Sequence, residues 1–281
     1  MQLPSVPAGI RLRAWPPVLA TRGPGWRGNL HSHHALHFVL ALDGELRVRT
    51  TASGRWSSAA GVLTSPGAAH AIDADGVQVL LVFLDPESEA GATFRPALAR
   101  PVRTLSADER SDLVRDVLPR TLLRSGAEEW VRHAARTLGV PLPAAQRAIH
   151  PRVRRLLAIL RNHGVDDATS LEVLASGVGL SPGRLMHVFT ASIGIPLRPY
   201  LAWLRVQRAA VSIVNGSALG DAAHAAGFAD AAHMSRTFKR MLGTAPSSLR
   251  PMRCGQLISE ARRESGRPAR EPGPGFAPAS V

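Results

Sequence analysis

The sequence predicts an α+β protein, with an N-terminal antiparallel β-barrel followed by an all-α domain that carries two helix-turn-helix units. Three observations lead there. Between Asn29 and Leu84 short apolar runs alternate with Gly, Pro and Asp turns, the pattern of a small barrel or sandwich. From Ser170 to Leu249 one helix-turn-helix pattern is written twice. The charge is also lopsided: residues 147–281 hold eighteen Arg and Lys against eight Asp and Glu, +10 of the chain's net +13. The half suited to a polyanion is therefore the C-terminal one.

Taken in order, residues 1–27 are rich in Pro and Gly and predict strand fragments and turns. HSHHALHFVLALDGELRVRT, starting at His31, reads as two strands around an Asp43-Gly44 hairpin turn. Further strands are predicted at Gly61–Thr64 and Val77–Leu84, separated by SPGAAHAID. DPESEAGATF, from Asp85 to Phe94, reads as a polar loop, and Pro96 and Pro101 mark a boundary. Ser106 to Leu118 predicts an amphipathic helix, with Ser106 and Glu109 in capping-box register and Leu113, Val117 and Leu118 on one stripe. Glu128 to Leu138 predicts another. These two helices either join the domains or cover the barrel. Arg152 to Asn162 opens the all-α domain, with Val153, Leu156, Leu157 and Leu160 inward and Arg152, Arg154, Arg155 and Arg161 outward, placed to meet phosphate or merely solvated. The expected organisation is thus a barrel at 1–94, linker helices at 95–146, tandem helix-turn-helix units at 147–253, and a disordered tail at 254–281, where Pro, Gly and charge replace periodicity.

The doubled pattern is steric before it is electrostatic. Ala175 with Gly179, and Ala223 with Gly227 at the same interval, supply a small residue where two helices cross and a glycine for positive φ in the turn. Thr169 and Glu172 have capping-box spacing, Ser181 caps the next helix with Pro182 in its first turn, and Asp230 caps its counterpart. Leu185, Val188 and Phe189 form one buried stripe, and Met234 and Phe238 repeat it. Gly183, Arg184, Met186, His187 and Thr190 are left outside in the first copy, and Ala231, Ala232, Ser235, Arg236 and Lys239 in the second. Both phenylalanines stand five residues before a glycine, Gly194 and Gly243, and a long helical pattern from Leu197 to Val214 joins the units.

GFADAAHMSRTFKRMLGTAP, with GLSPGRLMHVF before it and the linking helix around Leu201–Arg208, resembles the DNA-binding region of the AraC/XylS transcription regulators over about residues 150–250. That resemblance implies that the second helix of each unit enters a major groove of double-stranded DNA. It points to Gly183, Met186 and His187 in the first unit, and to Ala231, Ala232, Ser235 and Arg236 in the second. Gly183, Ala231 and Ala232 have no side chain able to hydrogen-bond a base. The further partners it implies are a small-molecule or metal effector in the barrel, RNA polymerase and a second copy of the chain, with the helices of 95–146 joining the domains and serving as a candidate dimerisation region.

In the N-terminal part, Gly25, His31, His33, His37 and Gly44 resemble the first cupin motif, except that His37 stands where metal-binding cupins have Glu, and Pro66, Gly67 and His70 resemble the second. On a strand of period two, His31, His33 and His37 share one face and His34 takes the other, at the surface or an interface. Joined by His70, the three imidazoles form a candidate site for a divalent transition metal. Alternatively they are polar residues lining an effector pocket.

Cys254 is the single cysteine, so an internal disulfide or a Cys-rich zinc site is excluded and apolar packing must hold the core. No stretch resembles a membrane span or a cleavable signal, and a cytoplasmic protein without membrane partners is expected. The leading expectation is a sequence-specific DNA-binding regulator, not an enzyme, whose barrel senses an effector. The alternatives are a metal-dependent cupin enzyme and a metalloregulator using the His31, His33, His37 and His70 cluster. Against the enzyme, the cluster contains no carboxylate and the chain has one phenol, Tyr200, so a general acid or base is hard to name.

Overall fold

A computed structural model of the chain describes residues 18–94, 98, 100–115, 127–140, 149–163 and 170–249. Its N-terminal half is two antiparallel sheets. Strands β1 (Val18–Pro24), β7 (Gln78–Leu84), β2 (Leu36–Ala41), β5 (Gly61–Thr64) and β8 (Val102–Leu105) lie in that order in the larger sheet. Strands β4 (Ser57–Ala59), β3 (Leu46–Arg49) and β6 (Ala71–Asp73) form the smaller. β2 pairs with β7, Leu36 opposite Leu84, and with β5, His37 opposite Thr64.

Because both edges of β2 are taken, β3 has no place beside it. Asp43-Gly44 is therefore not a hairpin turn as expected but a corner that carries the chain from one sheet to the other. Gly44 takes φ +62°, and the Asp43 carboxylate accepts from the Gln78 N–H at 2.8 Å. Two further expectations are corrected. Residues 85–94 do not run wholly as a loop, since Glu89–Phe94 forms a helix (α1) whose Phe94 is fully buried. In the stretch read as linker helices, Val102–Leu105 adds an edge strand to β5.

The larger sheet is covered on both faces, and every residue of β2 is buried. Val39 and Ala41 point into the barrel with Leu46, Val48, Val62, Ile72 and Leu81. Leu36, Phe38 and Leu40 point outward against Phe94, against Leu113 of α2 (Ala107–Val114), and against Trp130, Val131 and Ala134 of α3 (Ala127–Thr137). Burial on two sides is why this strand reads as a continuous apolar run. α2 and α3 thus pack on the outer face of the larger sheet. α2 starts at the Ser106–Glu109 capping box, and Val117 and Leu118 lie outside the described residues.

The C-terminal half is helical: α4 (Pro151–His163), α5 (Leu171–Gly177), α6 (Pro182–Ile193), α7 (Leu197–Val214), α8 (Leu219–Ala225), α9 (Ala231–Leu242) and a 3₁₀ turn at Pro246–Leu249. α5 and α6 are the first helix-turn-helix unit, packed on α4 and the start of α7. α8 and α9 are the second, packed on the remainder of α7. The expected tail, 254–281, lies outside the described residues, as do residues 1–17. Among the described residues no helix is long and apolar enough to cross a membrane.

Candidate DNA-binding surface and histidine cluster

The two units are built alike because the same local requirements recur. The turn glycines take φ +66° at Gly179 and +80° at Gly227, next to the fully buried Ala175 and Ala223. Ser181 accepts from the Arg184 N–H at the start of α6, with Pro182 in the first turn, and Asp230 accepts from the His233 N–H at the start of α9. That bond holds the Asp230 carboxyl below its usual range. Both helices end on a left-handed glycine, Gly194 and Gly243. α5 is capped by Ser170, which accepts from the Val173 N–H, in place of the expected Thr169, which lies outside the described residues.

Capping fixes the rotation of each second helix, and rotation fixes what faces out. Leu185, Val188 and Phe189 are buried in α6, and Met234 and Phe238 in α9. Gly183, Arg184, Met186, His187 and Thr190 are exposed, Met186 at 48%. In α9, Ala232, Arg236 and Lys239 are exposed, while Ala231 and Ser235 are half-buried at the edge of the same face. Arg240 is also exposed on this helix, and the pattern reading did not include it. Arg154 and Arg155 of α4 are exposed, but Arg152 is committed elsewhere. Its guanidinium donates to the Val178 carbonyl at 2.7 Å and so holds the turn of the first unit. The side chain of Arg161 lies outside the described residues.

The second assembly is the histidine cluster. His31, His33 and His70 are buried, each offers a ring nitrogen, and the three nitrogens lie within 4.8 Å of one another. Two backbone bonds clamp His31 to His70, N–H to carbonyl in each direction at 3.0 and 2.9 Å, and the Gly67 N–H donates to the His33 carbonyl at 2.7 Å. The stretch from His31 is not a regular strand, since β2 begins only at Leu36. Pairing with the 65–70 turn, not strand periodicity, brings His31 and His33 together. His37 does lie on β2, pointing into the barrel, stacked on Phe83 at 4.0 Å between centroids and 3.3 Å from His33 Nε2 through its Nδ1. It stands behind the trio instead of joining it.

The chemistry of the trio is legible from its hydrogen bonds. His31 Nδ1–H donates to the Asn29 carbonyl at 2.7 Å and His70 Nδ1–H to the Ala68 carbonyl at 2.9 Å. Each bond fixes the tautomer that leaves Nε2 as a bare lone pair, the arrangement that orients a ligating imidazole. His70 Nε2 and His33 Nδ1 are buried, with no hydrogen-bond partner among the described residues. Burial, and then the neighbouring imidazoles, push the pKa of His33 and His37 well below the ordinary value and that of His70 down to about 4, so the cluster is neutral at pH 7.

The cluster lies at the seam between the two halves. Trp203 of α7 stacks on His33, with centroids 5.4 Å apart and planes 23° from parallel. The Asn29 N–H donates to the Gly243 carbonyl at 3.0 Å, and a Cβ placed on Gly243 would fall 2.4 Å from His31 Nδ1. His34, placed at a surface or interface by the sequence, is at this interface: it is buried, paired with Glu87 and edge-on to Tyr200 of α7. Asn29 and Trp203 escaped the sequence reading, and Gly243 was read only as the residue closing its helix, because their contacts across this seam are with partners more than forty residues away.

Comparison with known proteins bears on the helical half. A family model described as a helix-turn-helix domain matches residues 174–252. The arabinose operon regulatory protein of Escherichia coli (strain K12) is 28% identical over 114 residues, 39% of this chain and 39% of that protein. Its counterpart from Salmonella typhimurium is 29% identical over 108 residues, 37% of this chain and 38% of that protein. The chain thus spans less than half the length of the curated relatives it matches. Among solved structures, apo ToxT from Vibrio cholerae superposes with a TM-score of 0.55 over 84% of this chain and 97% of that one, at 9% identity. ToxT bound to an unsaturated fatty acid gives 0.52 over 85% and 95%, at 12% identity. These likenesses share the fold, a β-domain followed by a helical domain. With its twice-written turn and capped second helices, the helical half is similar in sequence to the helix-turn-helix family model and to the arabinose operon regulatory proteins, and the chain as a whole shares its fold with ToxT.

Proposed function

We propose that this protein regulates transcription by binding duplex DNA through α6 and α9, and that its barrel, with the helices covering it, senses an effector. The observation that carries the reading is the pair of equivalently capped, outward-facing helices joined by the 18-residue α7. At about 1.5 Å per residue α7 spans on the order of 27 Å, a length suited to two readers separated by the ~34 Å pitch of DNA. Arg184, Met186, His187 and Thr190 would face one major-groove segment and Ser235, Arg236 and Lys239 the next. Gly183, Ala231 and Ala232 allow close approach of the backbone. Arg154, Arg155 and Arg240 are available to phosphate.

Similarity of the helical half to the arabinose operon regulatory proteins favours a regulator over an enzyme. RNA polymerase and a second copy of the chain are further partners in this reading, and the cytoplasm is its compartment. The test is a footprint of the full chain on DNA upstream of genes neighbouring its own. Two protected segments one helical turn apart on one face, with affinity falling steeply with salt, are the expected result. A folded protein that protects nothing, or protects a single groove segment, overturns it.

A further inference from the structure

The histidine cluster is placed where a sensor would have to act. From the geometry we infer that His31, His33 and His70 form a site for a divalent transition-metal ion that pins the second helix-turn-helix unit to the barrel. Three points with no separation above 4.8 Å lie on or within a circle of radius about 2.8 Å, so a central ion needs contractions of less than about 1 Å to reach ordinary 2.0–2.1 Å bonds. Ligands held by backbone pairing on both sides, with two tautomers already fixed, need little further ordering. The donor set selects the ion. An all-imidazole site with no carboxylate among the described residues suits zinc, nickel, cobalt or copper and gives magnesium and calcium none of the oxygen ligands they require. His37, hydrogen-bonded to His33 from behind, acts as a positioning residue.

What the ion would do follows from what covers it. α9 ends at Gly243 against the Nδ1 side of His31, where the Gly243 carbonyl accepts from the Asn29 N–H, so the segment that carries His31 is tied to the end of that helix. Trp203 closes the His33 side from α7. A bound ion therefore stiffens the contacts that hold α7 and α9 to the barrel. The docked arrangement leaves Ala232, Arg236 and Lys239 exposed, so locking it keeps the second reader open to DNA and ordered in advance. Resting on the DNA-binding reading above, this predicts tighter operator binding with metal, about five-fold or more, the low end of ordinary allosteric coupling.

The experiment uses the chelator-treated full chain. Titration with Co(II), Ni(II) and Zn(II) in the absence of DNA should show one ion per chain, with visible Co(II) absorption bands that His31→Gln and His70→Gln abolish and exposed His224→Gln keeps. Hydrogen exchange, also without DNA, should slow at residues 29–31 and 240–243 on metal addition, and Trp203→Leu should keep the stoichiometry while losing much of that protection. Circular dichroism checks that each variant is folded, and the wild-type titration stands even if one is not. Absence of stoichiometric binding by all three ions overturns the site. Binding without added protection at 240–243, or with unchanged or weaker operator affinity, overturns the lock. Failure of the protein to bind DNA in any metal state would count against the regulator reading alone, because metal occupancy and exchange are measured without DNA.

Discussion

The internal repeat supplies its own control for the seam. Gly194 and Gly243 occupy the same place in the two units, the left-handed residue closing the second helix, at φ +92° and +67°. Replacing either with Ala imposes the cost of a Cβ in that conformation, roughly 1–2 kcal/mol. At Gly194 nothing among the described residues lies within 4 Å of the new atom, and the cost stops there. At Gly243 it would meet His31 Nδ1 at 2.4 Å and the Asn29 carbonyl at 2.6 Å. Neither yields easily. His31 is clamped to His70 by two backbone bonds, and Asn29 is bonded to the Gly243 carbonyl itself. Relief requires breaking the Asn29–Gly243 bond and disturbing the Asn29–His31 bond, each worth about 0.5–1.5 kcal/mol. Gly243→Ala should therefore cost about 2–5 kcal/mol against about 1–2 for Gly194→Ala, the excess being capped by the energy of docking. Urea unfolding of the full chain followed by circular dichroism, with unchanged slope, measures both. Equal losses within about 0.5 kcal/mol would mean that α9 does not rest on the barrel in solution.

Other expectations address the reader and the core. Arg236→Ala should weaken operator binding by about 1–3 kcal/mol if it contacts a base bidentately, with unfolding shifted by no more than about 0.5 kcal/mol; normal affinity in a gel shift removes that face from the interface. Phe238→Ala empties a fully buried site beside Met234 and should cost about 3–5 kcal/mol in the same unfolding assay, and a loss under about 1 kcal/mol would contradict its place in the core. In metal-free protein the unfolded chain binds protons near pH 6.5 that folded His33, His37 and His70 refuse, His70 until about pH 4. Stability is then complete above pH 6.5 and falls as pH is lowered from there towards 4. A melting temperature that stays flat from pH 7.5 to 5 in chelator would show that the cluster is not buried neutral.

The helical half was legible because its instructions are local. Spacings of three and four residues place Leu185, Phe189, Met234 and Phe238 on buried stripes. Ser181 and Asp230 satisfy N–H groups within three residues, and Gly179 and Gly227 take conformations that the turn demands of its own backbone. None of this needs knowledge of distant partners, so the exposed face with Arg236 follows from the sequence by itself. The barrel depends on pairing across long separations, and there the tertiary structure decided. Asp43-Gly44 looked like a hairpin until both edges of β2 were occupied, and Val102–Leu105 became a strand because β5 offered a free edge. Period-two reasoning grouped His31, His33 and His37, with His70 joining them from a second segment, whereas backbone pairing of His31 with His70 selected His31, His33 and His70 and left His37 behind them. That Trp203 and Gly243 cover the cluster is a matter of how two separately folded layers meet. Apolar and backbone contacts across such a seam are non-directional or unmarked by residue type, so only the assembled chain reveals them.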